Sequence, residues 1–93
     1  MGALDEHVGL RLVQLRSDRG LSSWELAATL GMSIEDIELV ESGQRRLRAS
    51  ELLVLCRKYR VPISYFFEGV ETGLLTDDVL GQFLDARSKA KIR

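Results

Sequence analysis

The chain has little of several residue types on which other classes of protein depend. Its 93 residues include one cysteine, one histidine and one proline. A lone cysteine, Cys56, excludes a disulfide within the chain and suits a reducing compartment, and its place in an apolar helical pattern predicts a core residue. His7 has no second histidine or cysteine at metal-ligand spacing, and there is no glycine-rich phosphate loop. We therefore predict no catalytic residues, no metal site and no cofactor.

Long apolar runs are also missing. No stretch approaches the roughly 20 residues that cross a bilayer, and the N-terminus lacks a basic and apolar leader, so we expect a cytoplasmic protein without membrane contact. Alternating β-branched runs are absent as well, and 45% hydrophobic with 29% charged residues is typical of one small soluble domain. The sequence therefore predicts an all-α fold.

Two short helices joined by a tight turn are the clearest local pattern. Ser22 and Glu25 form a capping-box pair, which predicts a helix that begins near residue 23. Gly31 can adopt the left-handed conformation that ends this helix. Ser33, with Asp36 three positions later, caps the next helix, which we place at about 33–42. This arrangement allows the second helix to enter a groove of DNA.

The remaining helices follow from apolar periodicity. Helix 1 is predicted at about 4–19 and helix 4 at about 50–60, where the step into Pro62 stops it. Pro62 then opens a short fifth helix. The residues expected to be buried in these three helices are Leu4, Val8, Leu12, Leu15, Leu52, Leu55, Cys56, Tyr59, Ile63, Phe66 and Phe67.

The pattern resembles the helix-turn-helix domain of the Cro/C1-type phage repressors, also called the XRE family, over about 4–69. The residues that carry this resemblance are Val8, Gly9, Leu12, Leu15, Arg16, Leu21, Ser22, Glu25, Leu26, Ala27, Leu30, Gly31, Ser33, Ile37, Glu41, Gly43, Leu52, Leu53, Leu55, Tyr59 and the run 61–68. It implies a five-helix, lambda-repressor-like domain at 1–69. It also implies that Arg16 pairs with Glu41 to hold helix 3 against helix 1.

By the same resemblance, the chain would be a repressor-like, nucleoid-associated transcription regulator that binds double-stranded DNA as a homodimer. Its recognition helix would lie at about 33–42, and the two copies would sit about 34 Å apart on a pseudo-palindromic site. The candidate DNA-contacting residues are Ser23, Trp24, Ser33, Ile34, Glu35, Glu38, Leu39, Ser42, Gln44, Arg45, Arg46 and Arg48. Trp24 departs from the polar residue usual in the family, and packing against helix 1 or the tail is its other interpretation.

Charge is the feature that fits DNA binding least well. Lysine and arginine number 13 against 14 acidic residues, for a net charge of -1. Between 33 and 42 there are four acidic residues and no basic one, whereas 43–60 holds six basic residues. Arg45, Arg46 and Arg48 are thus the best candidates for phosphate contact, although a solvated loop would carry the same residues. The alternative function is a protein-binding regulator that docks a partner on the acidic helix.

Residues 70–93 form a second region, with a glycine-containing linker and then a predicted C-terminal helix. Its apolar stripe consists of Val79, Leu80, Phe83 and Leu84. This stripe could dimerise, bind another regulatory protein or fold back on the core of its own chain, since the pattern says only that something covers it. The basic tail at 87–93 could contact phosphates or keep a frayed end in solution.

Overall fold

The structure, a computed structural model, describes residues 2–69 and builds them from helices joined by short turns. The elements are α1 (Ala3–Arg19), α2 (Ser23–Leu30), α3 (Ile34–Glu41), α4 (Ala49–Tyr59) and a 3-10 helix (Ile63–Phe67). No strand occurs between residues 2 and 69, which confirms the predicted all-α class for that range. The fifth helix is 3-10 rather than α, and the predicted C-terminal helix lies outside the described residues.

The predicted helix starts are made by side-chain caps. The hydroxyl oxygen of Ser22 accepts from the N–H of Glu25 at 3.0 Å, and the Glu25 carboxylate accepts from the Ser22 N–H at 2.8 Å. Ser33 and Asp36 repeat this exchange at 3.0 and 3.4 Å. Each cap supplies partners for N–H groups that the first helical turn leaves without any. Both short helices thus begin where their local sequence predicts.

The core lies where α1 meets the other helices. Its fully buried side chains include Leu12, Leu15, Leu26, Ile37 and Phe66. Leu47 in the loop before α4 is also buried, which periodicity could not reveal because it belongs to no helix. Three of the residues expected to be buried are not fully so. Cys56 and Phe67 are half-buried, although both pack against the core, and Ile63, the first residue of the 3-10 helix, is 43% exposed.

The 3-10 helix is tied to α1 by Arg11. Its guanidinium lies 4.1 Å from the centroid of the Tyr65 ring, donates to the Tyr65 carbonyl at 2.7 Å and pairs with Glu68 at 2.8 Å. His7, one turn earlier on α1, has Nε2 in hydrogen-bond contact with the Glu68 carbonyl oxygen. α1 begins before His7, and this contact holds the His7 side chain.

Arg60, rather than the step into proline alone, ends α4. Its φ of 58° is the left-handed conformation, and its N–H donates to the Cys56 carbonyl oxygen. The N–H of Val61 donates to the same oxygen at 3.2 Å. α4 therefore ends at Tyr59, one residue earlier than expected.

Between residues 2 and 69 no helix has both the length and the apolar character needed to cross a membrane.

Candidate nucleic-acid interface

A three-residue turn presents α3 to solvent. Gly31 follows α2 with φ 67°, and the N–H of Met32 donates to the Ala27 carbonyl at 3.0 Å, so the chain reverses within one turn and Ser33 can cap α3. The buried side of α3 is formed by Ile37 and Val40, as the periodicity predicts. The short turn and the two buried residues together fix which side of α3 faces outward.

A close backbone contact places α3 against α1. A Cβ added to Gly9 would lie 2.3 Å from the carbonyl oxygen of Val40, a distance that real Cβ atoms do not reach. Only glycine therefore allows α1 to approach the end of α3 this closely. The loop after α3 makes a similar approach at Gly43, which has φ 83° and where an added Cβ would lie 2.7 Å from Cγ of Glu6.

An ion pair supports the same contact. Nε of Arg16 donates to Oε2 of Glu41 at 2.7 Å, and Nη2 donates to Oε1 at 3.2 Å. This two-bond geometry is the strong form of an arginine–carboxylate pair, and the carboxylate beside it raises the pKa of Arg16. The structure thus brings together the two residues that the family resemblance paired.

The outer face of α3 consists of Ile34, Glu35, Glu38 and Leu39. Ile34 is 42% and Leu39 is 39% exposed, and both glutamates are exposed. Neither Glu35 nor Glu38 makes a hydrogen bond or ion pair with any residue in the described range. The other two carboxylates of α3 are occupied, since Asp36 caps the helix and Glu41 binds Arg16. The outer face therefore offers two unpaired acceptors between two apolar side chains.

The last turn of α3 and the loop after it are joined by hydrogen bonds within the protein. The hydroxyl of Ser42 donates to the Leu39 carbonyl at 3.1 Å and accepts from the side-chain amide of Gln44, also at 3.1 Å. The N–H groups of Gln44 and Arg45 both donate to that same carbonyl. Ser42 and Gln44, expected at the DNA, thus have bonds within the protein that a contact with DNA would have to replace. Ser33 is likewise engaged as a cap.

The three arginines after α3 differ in their surroundings. Arg46 donates from Nε and Nη2 to the two carboxylate oxygens of Asp5, at 2.7 and 3.0 Å. Arg45 contacts Glu51 at 3.4 Å through two nitrogens, which is a long and weak geometry. Arg48 is exposed at the N-cap of α4, and its side chain makes no ion pair with the described residues. Arg48 is thus the arginine of this loop that is most available to an anion.

Asp5 holds the arginine loop against α1, and the sequence reasoning missed it. Its side chain is 1% exposed, and it also accepts from the N–H of Gly2 at 3.2 Å. The hydrogen bonds from Arg46 lower the pKa of Asp5 although burial opposes this, and Asp5 raises the pKa of Arg46. A signal existed, because Asp5 lies three residues before Val8 on the buried stripe of α1.

Trp24 and Ser23 lie in the first turn of α2. Trp24 is 66% exposed, so contact with α1 does not bury it. Ser23 is half-buried. The predicted stripe of Val79, Leu80, Phe83 and Leu84 lies outside the described residues, as does the tail that was the other expected neighbour of Trp24.

Comparison with known proteins gives separate evidence of the family of this chain. A family model described as a helix-turn-helix domain matches residues 7–64, more than half of the chain. An uncharacterized transcriptional regulator in the ATPase CF(0) region of Rhodospirillum rubrum is 39% identical over 70 residues, which are 75% of this chain and 65% of that protein. An HTH-type transcriptional regulator of Sinorhizobium medicae is 37% identical over 65 residues, or 70% of this chain and 47% of that protein.

A third relative is far longer. The HTH-type transcriptional regulator PrpR of Mycobacterium tuberculosis is 32% identical over 69 residues, which are only 14% of its length. The chain thus spans between about half and two-thirds of the first two relatives and a small part of the third. No solved structure matches significantly. The chain belongs to the helix-turn-helix domain family, and the XRE-like membership predicted from its sequence is confirmed.

Proposed function

We propose that this chain is a sequence-specific, double-stranded DNA-binding regulator of transcription of the Cro/C1 type, that it represses, and that it is not an enzyme. The observation that supports this most strongly is the presentation of α3. The helix is capped by Ser33, held to α1 by the contact at Gly9 and the Arg16–Glu41 pair, and exposed on its outer face. A rigid exposed helix after a tight turn has the geometry that enters a major groove.

In this proposal the recognition helix covers 33–42 and Arg48 supplies the main phosphate contact. Arg48 is exposed and lies beside the first N–H groups of α4, so a phosphate there would meet both a guanidinium and the positive end of the helix. Arg45 assists by leaving its long contact with Glu51. Arg46 acts instead through Asp5, by holding the loop against α1.

We place the start of α2 at the DNA backbone as well. The exposed indole of Trp24 can donate its N–H to a phosphate oxygen while its ring lies on the sugar edge, and Ser23 is beside it. Both contacts position the protein without reading bases. Specificity therefore rests on the outer face of α3.

For the whole chain we propose two regions, a DNA-binding domain at 1–69 and a dimerisation segment at 70–93 with Val79, Leu80, Phe83 and Leu84 in its contact stripe. Two copies would place their α3 helices about 34 Å apart, one turn of B-DNA. Dimerisation also doubles the number of phosphate contacts, which compensates for the acidic recognition helix.

Fluorescence anisotropy with a labelled duplex tests this proposal. The protein should bind its own promoter fragment more tightly than a random duplex. If about four phosphates are neutralised per dimer, affinity should fall roughly 150-fold between about 50 and 200 mM salt. Absence of binding at the lower salt by folded protein would overturn the proposal and favour a protein partner for the acidic face.

A matched pair of variants tests the assignment of Arg48. Arg48→Glu should weaken binding to all duplexes and reduce the slope of log affinity against log salt. Arg57→Glu changes the net charge equally but lies nine positions later, about 13 Å further along α4, and should have a much smaller effect. Equal losses in the two variants would show that only net charge matters. Arg46→Glu is a poor test, because it places a second carboxylate against buried Asp5.

A further inference from the structure

The outer face of α3 contains acceptors and apolar groups but no donor that suits a purine. From Ile34 to Glu41 there is no lysine, arginine, asparagine or glutamine. Guanine shows N7 and O6 acceptors in the major groove, and adenine is read by a side chain that donates and accepts together. Carboxylates and alkyl groups can donate to none of these acceptors, and a carboxylate that accepts from the adenine N6 amino group still faces the N7 acceptor without a donor. The face is therefore unsuited to direct purine contact along its whole length.

The same face matches the groove edges of pyrimidines. Cytosine presents its N4 amino donor, which a carboxylate accepts, and thymine presents a C5 methyl group, which an alkyl side chain contacts. Glu35 and Glu38 are exposed and have no partner among the described residues, so binding cytosine would break no bond within that range. Leu39 and Ile34 keep 39% and 42% of their surface exposed for contact with a methyl group.

Helix geometry sets the spacing of these contacts. Glu35 and Glu38 are three residues apart, so their Cβ atoms are separated by about 5–6 Å. Successive bases rise about 3.4 Å along one strand. The two carboxylates can therefore reach base pairs one or two steps apart, with Ile34 and Leu39 each directly beside one of them in sequence.

We infer that the outer face of α3 reads cytosine through Glu35 and Glu38 and thymine through Ile34 and Leu39 in each half-site. This inference rests on the proposed function and adds its base specificity. The carboxylates also lower the affinity for DNA of any sequence, because they repel phosphates. This repulsion is offset only where the amino group of a base donates to a carboxylate. Weak non-specific binding and strong discrimination between bases therefore have the same origin.

The first experiment selects duplexes from a randomised library with the full chain and measures anisotropy on single-base variants of the selected site. Cytosine should be preferred roughly tenfold at one or two positions of each half-site. Glu38→Gln should move one of these preferences from cytosine to adenine, because an amide both donates and accepts. It should also tighten binding to random duplex. Asp18→Asn, which removes an exposed carboxylate at the end of α1, should leave the base preference unchanged.

A second experiment changes a base of the DNA rather than a side chain of the protein. Replacing the contacted thymine by deoxyuridine removes only the methyl group and should weaken binding about fourfold. The loss should disappear in Leu39→Ala, because the alkyl partner is then already absent.

Glutamine and glutamate have similar helix propensities, so Glu38→Gln, the variant of the first experiment, should keep the thermal unfolding midpoint.

The outcomes separate this inference from the proposed function. Salt-dependent binding with no preference for C·G pairs at any position of the half-site, or a cytosine preference that survives Glu38→Gln and Glu35→Gln, would overturn the inference and leave a DNA-binding regulator. Failure to select any duplex from the library at about 50 mM salt would overturn both.

Discussion

Asp5 is the one charged residue that is buried between residues 2 and 69, so its charge should matter to stability. It is buried in the first turn of α1, while its partner Arg46 is 29% exposed. Loss of either partner should destabilise the protein, but unequally. Arg46→Ala leaves a carboxylate buried without its cation, whereas Asp5→Asn leaves a cation that can still reach water. We expect a cost of about 3 kcal/mol for Arg46→Ala and about 2 kcal/mol for Asp5→Asn.

The same pair should make stability depend on acid. The pKa of Asp5 is lowered by Arg46 from the ordinary value of 3.8, so the folded state binds this proton less readily than the unfolded state. The resulting stabilisation is complete above about pH 4 to 5 and is lost as pH falls through the lower, folded pKa. The stability difference between the wild type and Asp5→Asn, measured by urea unfolding, should therefore shrink at acid pH. Asp18→Asn, at an exposed position, should change stability by less than about 0.5 kcal/mol throughout. A constant difference for Asp5→Asn down to about pH 2 would contradict this account.

Gly9 provides a second prediction at the scale of one residue. Within an ordinary exposed helix, Gly→Ala stabilises by about 1 kcal/mol. Here the new Cβ would meet the Val40 carbonyl, so α3 must move away from α1, and we expect a net loss of about 2 kcal/mol. DNA affinity should fall as well, since α3 bears the reading face. Gly2→Ala is a control for the added Cβ, which there meets nothing within 4 Å, so its cost should be limited to the weaker N-cap that alanine gives α1. Denaturant unfolding that finds the two variants equally stable would refute the close contact.

At the scale of the element, α3 is too short to be stable by itself. Its eight residues form a helix because Ser33 caps one end and Ile37 and Val40 pack on the core. We expect Ser33→Ala to cost about 1 kcal/mol and Ser33→Gly only a few tenths, since glycine is tolerated at an N-cap. Hydrogen exchange should locate the loss of protection in the first turn of α3. Uniform loss across all helices would mean that the cap stabilises the whole domain rather than this turn.

At the scale of the whole molecule, the proposed division at residue 69 can be tested by truncation. A chain of residues 1–69 contains every core contact described above, so we expect it to remain helical and to unfold cooperatively. If 70–93 forms the dimer contact, the truncated chain should sediment as a monomer and the full chain as a dimer. The truncated chain should also bind the two half-sites independently. Its affinity for a full site should therefore not depend on the spacing between the half-sites. A dimeric fragment would place the contact on residues 2–69 instead.

Much of this fold could be predicted because its signals are local. A capping box spans four residues, a helical stripe repeats every three or four, and a left-handed glycine acts on its own turn. The starts of α2 and α3, the turn between them and the buried residues Ile37 and Val40 all follow from such signals. The orientation of the outer face of α3 follows for the same reason.

The expectations that the structure revised depend on distant groups. The sequence places Arg45, Arg46 and Arg48 together as equal candidates for phosphate contact. Their difference arises because Arg46 meets Asp5, 41 positions away, and Arg45 meets Glu51, while Arg48 has no ion-pair partner among the described residues. The exposure of Trp24 likewise depends on which neighbours reach the start of α2.

The sequence by itself therefore determined the starts of α2 and α3, their serine caps, the helix-turn-helix family and the chemistry of the α3 face, since each depends on residue types at short spacing. Only the tertiary structure decided which charges are free. A carboxylate on a helix looks the same in sequence whether it caps a turn, pairs with an arginine or faces solvent. Its state is set by what folding brings within about 3 Å of it, as the contrast between Asp5 and Glu38 shows.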